Sequence, residues 1–336
     1  MSTDTTRRHP ERPDRNLALE VVRVTEAAAM AAARWQGRGD KESGDQAAVD
    51  AMRQVLDTVE MDGTVVIGEG EKDEAPMLYN GEPVGTGGLP KVDIAVDPVE
   101  GTRLLAEGRP GSLAVFAAAP AGAMFDPGPC VYMEKLVVGV EGADVVDLDR
   151  PIGDNLRAVA EAMGRKVREL TVVMLDRERH DEAKRQIRET GARLQLITDG
   201  DVAAAMLAAW DERPQTDVLY GIGGTPEGVA SACAVKALGG RLLGRLWPRN
   251  DEERRAALDA GYDLDAILTE NDLVTSDDCF IACTGITPGQ LLRGVTFDRL
   301  GATTDSLVMR GKSGTVRSIR ARHRTAKLRE YSSVRY

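Results

Sequence analysis

The twelve residues Lys91-Val92-Asp93-Ile94-Ala95-Val96-Asp97-Pro98-Val99-Glu100-Gly101-Thr102 describe a pleated strand that ends in acid. Val92, Ile94 and Val96 alternate with Asp93, Ala95 and Asp97, the two-residue period of a strand with two distinct faces. Pro98 has no N–H to give to a ladder, so the strand should stop at Asp97. Gly101 permits backbone geometries that other residues resist, which lets Glu100 and Thr102 turn back toward Asp97. A carboxylate fixed at a strand end, followed by a loop carboxylate, is a grip for a hard cation. A capped strand followed by a polar turn is the plainer alternative, and this stretch supports both.

The whole chain narrows what such a grip could serve. Its 336 residues suit two domains or one large one, and 42% hydrophobic with 29% charged residues is a soluble globular composition. The formal net charge of −11 argues against nucleic-acid or anionic-membrane binding, both of which need a basic face. The best apolar run, residues 113–125, is broken by Pro120 and Gly122 and falls short of the roughly 20 residues a membrane span requires. Residues 1–16 are charged, lack the apolar region of a secretory signal and read as a disordered tail, so a cytoplasmic location is expected. Cys130, Cys233, Cys279 and Cys283 are scattered in apolar contexts and read as buried free thiols. With only His9, His180 and His323, a histidine metal site is nearly excluded, and any metal is held by oxygen, which points to Mg2+ or Mn2+.

In chain order, residues 17–35 predict a long helix, broken by Gly37-Arg38-Gly39-Asp40-Lys41, and a second helix runs from about Asp45 to Glu60. Asp45 then lies in a first turn, where the helix dipole alone accounts for a carboxylate. A short strand, 64–67, runs into Gly68-Glu69-Gly70-Glu71-Lys72-Asp73-Glu74, with Glu69 between two glycines: a second strand-end carboxylate, or an ordinary solvated acidic loop. Strands follow at 112–119 and 131–139, the latter carrying the polar Tyr132-Met133-Glu134-Lys135 inside an apolar ladder. A helix at 154–164 closes this α+β half, placing a boundary between residues 17–168 and 169–330.

The second half alternates strands (170–175, 194–198, 218–222) with helices (180–190, 202–210, 226–238), which implies a mainly parallel α/β sheet with ligands at its carboxyl ends. Three loops leave those ends: Arg179-His180-Asp181, Asp199-Gly200-Asp201 and Gly221-Ile222-Gly223-Gly224-Thr225-Pro226-Glu227. In the third, Thr225 reads as N-cap with Pro226 at the first helical position, and the free N–H groups there could receive an anion. Two nucleotide motifs fail: Pro226 stands where a dinucleotide fingerprint needs its third glycine, and Ser306 where a phosphate loop ending in Gly311-Lys312-Ser313 needs one. The Arg310, Lys312 and Arg317 cluster reads as a solvated strand face.

Taken together, Gly37–Lys41, Ile67–Glu71, Asp93–Thr102, Tyr132-Met133-Glu134-Lys135-Leu136 and Tyr220–Gly228 resemble the class II (GlpX-type) fructose-1,6-bisphosphatases of the metal-dependent, lithium-sensitive phosphatase superfamily. The resemblance covers residues 17–322. Asp97-Pro98-Val99-Glu100-Gly101-Thr102 is the motif of the superfamily; the Tyr132 and Gly223-Gly224-Thr225-Pro226-Glu227 segments mark the class II branch. It implies a layered αβαβα sandwich of two subdomains, metal-binding (17–168) and substrate-binding (169–330), with the site between them. It implies Asp45, Glu69, Asp97, Glu100 and Glu227 as ligands of two or more Mg2+ or Mn2+ ions, with Lys41, Asp97 and Thr102 catalytic. Substrate contacts are implied for Glu100, Gly101, Thr102, Tyr132, Arg179, His180, Asp181, Asp199, Gly200, Asp201 and Gly224. His180, a lone histidine at a helix start, reads equally as a cap or core residue.

The implied activity is gluconeogenic hydrolysis of the 1-phosphate of fructose 1,6-bisphosphate by metal-activated water, in a homo-oligomer (dimer or tetramer). The same motifs would serve a dual fructose/sedoheptulose bisphosphatase; a non-catalytic sugar-phosphate sensor is the reading from another class. Carboxylates suit this chemistry because a phosphate dianion repels an incoming oxygen, and divalent ions held by oxygen ligands remove that obstacle. Four residues of strand span about 13 Å, so Asp93 and Asp97 cannot share an ion and Asp93 reads as structural.

Overall fold

The computed structural model describes residues 17–70, 77–212, 215–330, 332 and 334. The expected tail at 1–16 and residues 71–74 of the acidic run lie outside the described residues. The chain opens with α1 (Ala18–Ala32), whose alanines and valines are buried almost throughout. A 3-10 turn at Ala33–Trp35 follows, and Gly37 and Gly39 then redirect the chain with positive φ. Helix α2 (Lys41–Leu56) is capped by Asp40, which accepts from the Ser43 N–H at 3.0 Å. The helix therefore starts four residues before the Asp45 expected from the sequence. Asp45 sits in its second turn, where the dipole has largely faded and no longer explains it.

Strands β1 (Asp62–Ile67), β2 (Pro83–Val84) and β3 (Lys91–Glu100) lead to α3 (Thr102–Glu107), β4 (Leu113–Pro120) and β5 (Tyr132–Val138). Helix α4 (Ile152–Ala162), β6 (Thr171–Leu175), α5 (Asp181–Thr190), β7 (Arg193–Ile197), α6 (Val202–Ala208), β8 (Val218–Gly224), α7 (Thr225–Leu238) and β9 (Arg241–Leu246) alternate through the middle. Helix α8 (Asp251–Asp259), β10 (Leu268–Thr269), β11 (Phe280–Gly285), β12 (Thr296–Asp298), β13 (Gly301–Arg310) and β14 (Thr315–His323) complete the sheets.

Two sheets form. The first has the order β12-β13-β11-β4-β3-β1-β2, with β14 also on β13; the second runs β10-β9-β5-β8-β6-β7. Helices α1 and α2 cover the outer face of the first sheet, α4 and α5 the outer face of the second, and α6 and α7 pack between them. This is the expected αβαβα sandwich. The two-residue period of β3 sorts its side chains: Val92, Ile94 and Val96 enter the core with α1 and α2, while Ala95 enters the inner core with α7.

Three expectations need correction. The second sheet is mixed rather than mainly parallel. Strands β6 to β9 do run the same way, but β5 inserts antiparallel between β8 and β9, so parallel pairs are confined to β7-β6-β8. A cut at residue 168 does not follow the sheets, because β5 lies in the second sheet and β11 to β14 return to the first. Finally, β3 runs past Pro98 to Glu100, with its register against β4 shifting between Asp97 and Glu100. The missing N–H is absorbed by a bulge instead of ending the strand.

Candidate metal centre and substrate cleft

The bulge in β3 has a chemical consequence. Residues three apart in a regular strand face opposite ways, but the irregularity brings the Asp97 and Glu100 carboxyls into a hydrogen bond on the inner side. Asp97 also accepts from the Val99 N–H at 3.1 Å, and Glu100 accepts from the Val202 N–H at 2.9 Å. Gly101, with φ +81°, turns the chain into α3 and places Thr102 in its first turn.

Glu69 follows β1, its N–H donating to the Leu78 carbonyl at 2.9 Å. A side chain at the neighbouring Gly68 would collide with that carbonyl, so glycine is needed there. Glu227 enters from the start of α7. There Gly224 is the N-cap, not Thr225, whose hydroxyl is buried without a hydrogen-bond partner among the described residues. A Cβ on Gly224 would run into the Glu227 carboxylate, which folds back onto its own backbone N–H. The anion site expected at this helix start is thus filled by the chain's own Glu227.

Asp45, Glu69, Asp97, Glu100 and Glu227 all line one cavity of about 450 Å3, together with Gly101, Thr102, Tyr132, Asp199, Gly200 and Gly224. One oxygen from each of Asp97, Glu100 and Glu227 lies within 4.8 Å of the others. That spacing, with oxygen donors only, fits a hard divalent cation after slight closure. The electrostatics agree. Burial pushes Glu69 up to about 8, helped by the charge of Asp45. Burial likewise pushes Glu100 to about 8, with the charges of Glu227 and Asp201 adding to it. Asp97 is held well above the usual carboxylate range by burial and by Glu100, Glu227 and Glu69. Burial also raises Asp45 and Glu227. So many crowded acids are stable as anions only beside cations.

Tyr132 on the cavity wall carries two guanidinium groups over its ring, although neither arginine lines the cavity itself. Tyr132 begins β5; the Arg179 guanidinium lies 5.0 Å from its ring centre and that of Arg249 5.8 Å. Trp247 packs edge-on at 6.4 Å, and its backbone N–H donates to the Tyr132 carbonyl at 2.9 Å. Arg179 also donates to the Ile222 carbonyl at 2.8 Å. Gly200, with φ +69°, passes close over Glu100.

Several residues named from the sequence lie elsewhere. His180 is buried, its Nδ1–H donating to the Leu175 carbonyl at 2.7 Å and its Nε2 accepting from the Ile222 N–H at 2.8 Å. Burial lowers its pKa, and both nitrogens are taken in the neutral form, so the ring pins the Gly221–Gly223 backbone. Asp181 is exposed, pairs with Lys184 at 3.0 Å and does not line the cavity. Asp201 is buried against Lys135 at 2.6 Å. Lys41 is exposed in the first turn of α2, outside the cavity lining. Asp93 accepts from the Met124 N–H at 3.1 Å, as a structural acid would. Lys135, Trp247 and Arg249 also contact the site's surroundings, through Asp201 and Tyr132. The polar interruption of β5 was the available signal for Lys135; nothing local marked the other two.

Among the described residues no helix is long and apolar enough to cross a membrane. The family model described as "Bacterial fructose-1,6-bisphosphatase, glpX-encoded" matches residues 15–323. The chain is 48% identical over 322 residues to the fructose-1,6-bisphosphatase 1 class 2 of Escherichia coli strain K12, covering 92% of this chain and 95% of that protein. The class 2 fructose-1,6-bisphosphatase of Shigella flexneri matches with the same identity and coverage. The chain belongs to the glpX-encoded bacterial fructose-1,6-bisphosphatase family.

Proposed function

We propose that this protein hydrolyses the 1-phosphate of fructose 1,6-bisphosphate, giving fructose 6-phosphate and inorganic phosphate, as a phosphoric monoester hydrolase of gluconeogenesis. The observation that carries the reading is the convergence of five carboxylates, from α2, the loop after β1, β3 and α7, on one cavity that the arginine-flanked Tyr132 also lines. Asp45, Glu69, Asp97, Glu100 and Glu227 are the proposed ligands, and the all-oxygen set suits two or more Mg2+ or Mn2+ ions. When bound, such ions neutralise phosphoryl oxygens, acidify water and stabilise the leaving alkoxide.

The chain's own groups supply the rest. Thr102 would orient the attacking water, a role supported by its position in the first turn of α3 and on the cavity wall. Tyr132, which lines the cavity, and Arg179, which lies over its ring, would take the sugar and its uncleaved phosphate, with the Asp199-Gly200 turn close to Glu100. The functional division we propose is therefore by sheet: metal ligands chiefly from the first, sugar contacts from the second. Lys41 reaches the reacting phosphate only if the loop before α2 moves inward. A dimer or tetramer in the cytoplasm follows from the family resemblance, and sedimentation of the purified protein checks the assembly.

Phosphate release tests the reading. Fructose 1,6-bisphosphate, sedoheptulose 1,7-bisphosphate, fructose 6-phosphate and inositol monophosphate are each incubated with Mg2+ or Mn2+, then with Li+ added. The expected result is one phosphate per fructose 1,6-bisphosphate, stopped by chelator and depressed by Li+. Comparable turnover of the sedoheptulose ester makes the enzyme dual. Silence on every bisphosphate overturns the proposal and leaves a sugar-phosphate sensor.

A further inference from the structure

Lys135 is the most buried cation in the site's surroundings: its side chain is 2% exposed, in the middle of β5. Its Nζ donates to Asp201 Oδ2 at 2.6 Å and to the Gly224 carbonyl at 3.0 Å. These two partners are not equivalent. Asp201 ends the loop before α6, and Gly224 is the N-cap of α7, three residues before Glu227. One ammonium thus ties a central strand to the starts of both helices that lie between the sheets.

The surrounding chain is shaped to admit it. A Cβ on Gly223 would strike the Asp201 carboxylate and lie 2.9 Å from Lys135 Nζ, so the Gly223-Gly224 pair leaves room for this contact. The loop before α6 is held from its other side by Glu100, which accepts from the Val202 N–H at 2.9 Å. It is therefore clamped between a proposed metal ligand and a lysine. The pair is also incomplete: Asp201 Oδ1 is buried without a hydrogen-bond partner among the described residues. A buried ion pair of this kind is a poor source of stability, since replacing both charges by neutral groups is often neutral or favourable. Its value has to lie in where it puts the chain.

We propose that Lys135 is a positioning residue: it holds the start of α7, and with it Glu227, against the Asp199–Asp201 loop in the arrangement that binds metal and sugar phosphate. This rests on the reading of Glu227 as a metal ligand. Lys135 does not itself line the cavity. Its role is to fix two loops that do, from a strand buried behind them.

The test compares full-length wild type, Lys135→Met, Asp201→Asn and the double variant. Thermal unfolding is followed during titration with MnCl2 alone, and kcat and KM are then measured with fructose 1,6-bisphosphate at saturating Mn2+. Wild type should show a Mn2+-dependent rise in Tm; its absence overturns the metal centre and this proposal with it. Lys135→Met should have a lowered metal-free Tm, because Asp201 is left unpaired. The double variant, with no buried charge, should regain most of that Tm. Its Mn2+ midpoint should nonetheless stay at least 10-fold higher than wild type, with KM raised more than kcat is lowered. If the double variant recovers the Mn2+ midpoint and KM along with Tm, Lys135 only neutralises Asp201 and the proposal fails. If Lys135→Met leaves midpoint and KM unchanged, it fails equally.

Discussion

The carboxyl of Asp45, in the second turn of α2, hydrogen-bonds the carboxyl of Glu69 beyond the end of β1. Two carboxyls can do this only by sharing a proton, and Glu69, pushed to about 8, is the one that keeps it. The two acids come from elements with no local reason to meet. A divalent ion between them would displace the proton and leave both as ligands.

Metal binding should therefore be pH-dependent in a defined direction. Glu69 and Glu100 titrate near 8 when folded and near 4.5 when unfolded, so the folded chain holds extra protons between those values. Their stabilising effect is complete below about 4.5 and is lost as pH rises through about 8. In chelator, Tm should fall between pH 6.5 and 8.5. In Mn2+ the fall should shrink or reverse, with the Mn2+ midpoint dropping as pH rises. Equal midpoints at pH 6.5 and 8.5 would count against these two as ligands.

Asp97→Asn should separate function from stability. The change removes a carboxyl crowded by Glu100, Glu227 and Glu69, so turnover should fall by at least about 100-fold. The metal-free Tm should hold or rise, because a repelled group is gone. Turnover near wild type removes Asp97 from the mechanism. Asp93→Asn is the control four residues away: it weakens the acceptor of the Met124 N–H, costing about 1 kcal/mol while turnover is retained.

Gly224→Ala isolates one methyl group. Gly224 has φ −65°, an ordinary value, so alanine does not strain the backbone. The added Cβ instead meets the Glu227 carboxylate and must push it aside. We expect a folded protein with near wild-type Tm and a Mn2+ midpoint raised about 10- to 100-fold. Unchanged Mn2+ binding would show that Glu227 is free to move.

A second buried acid, far from the cavity in sequence, should govern stability alone. Glu26 on α1 is pushed to about 7 by burial, against a hydrogen bond from Thr304 and the nearby charge of Arg23. His323 lies 3.8 Å away, its own pKa lowered by burial. The raised value stabilises the fold below about 4.5 and is lost as pH rises through about 7. Glu26→Gln should therefore be more stable than wild type at pH 8, by up to about 3 kcal/mol, with the advantage falling below about 1 kcal/mol at pH 5. Urea unfolding at the two pH values measures it, and an equal difference at both excludes the ionisation of Glu26 as the cause.

Much of this architecture was legible residue by residue. The period of β3, the alternation of helices and strands from 170 to 238, and the acids and glycines after strands are local patterns, and local sterics enforce them. The sequence also pointed to an oxygen-ligand chemistry, because the chain has too few histidines for another. What escaped it was non-local. The insertion of β5 between β8 and β9, the return of β11 to β14 to the first sheet, and the bulge that turns Asp97 and Glu100 together depend on partners far along the chain. So do the enclosure of His180, the pairing of Asp201 with Lys135, and the arginines gathered on Tyr132. A residue's spacing decides which way its side chain faces. Which strand end or helix start it faces is decided only when the two sheets close on α6 and α7, because burial of apolar area is non-directional and fixes neighbours only collectively.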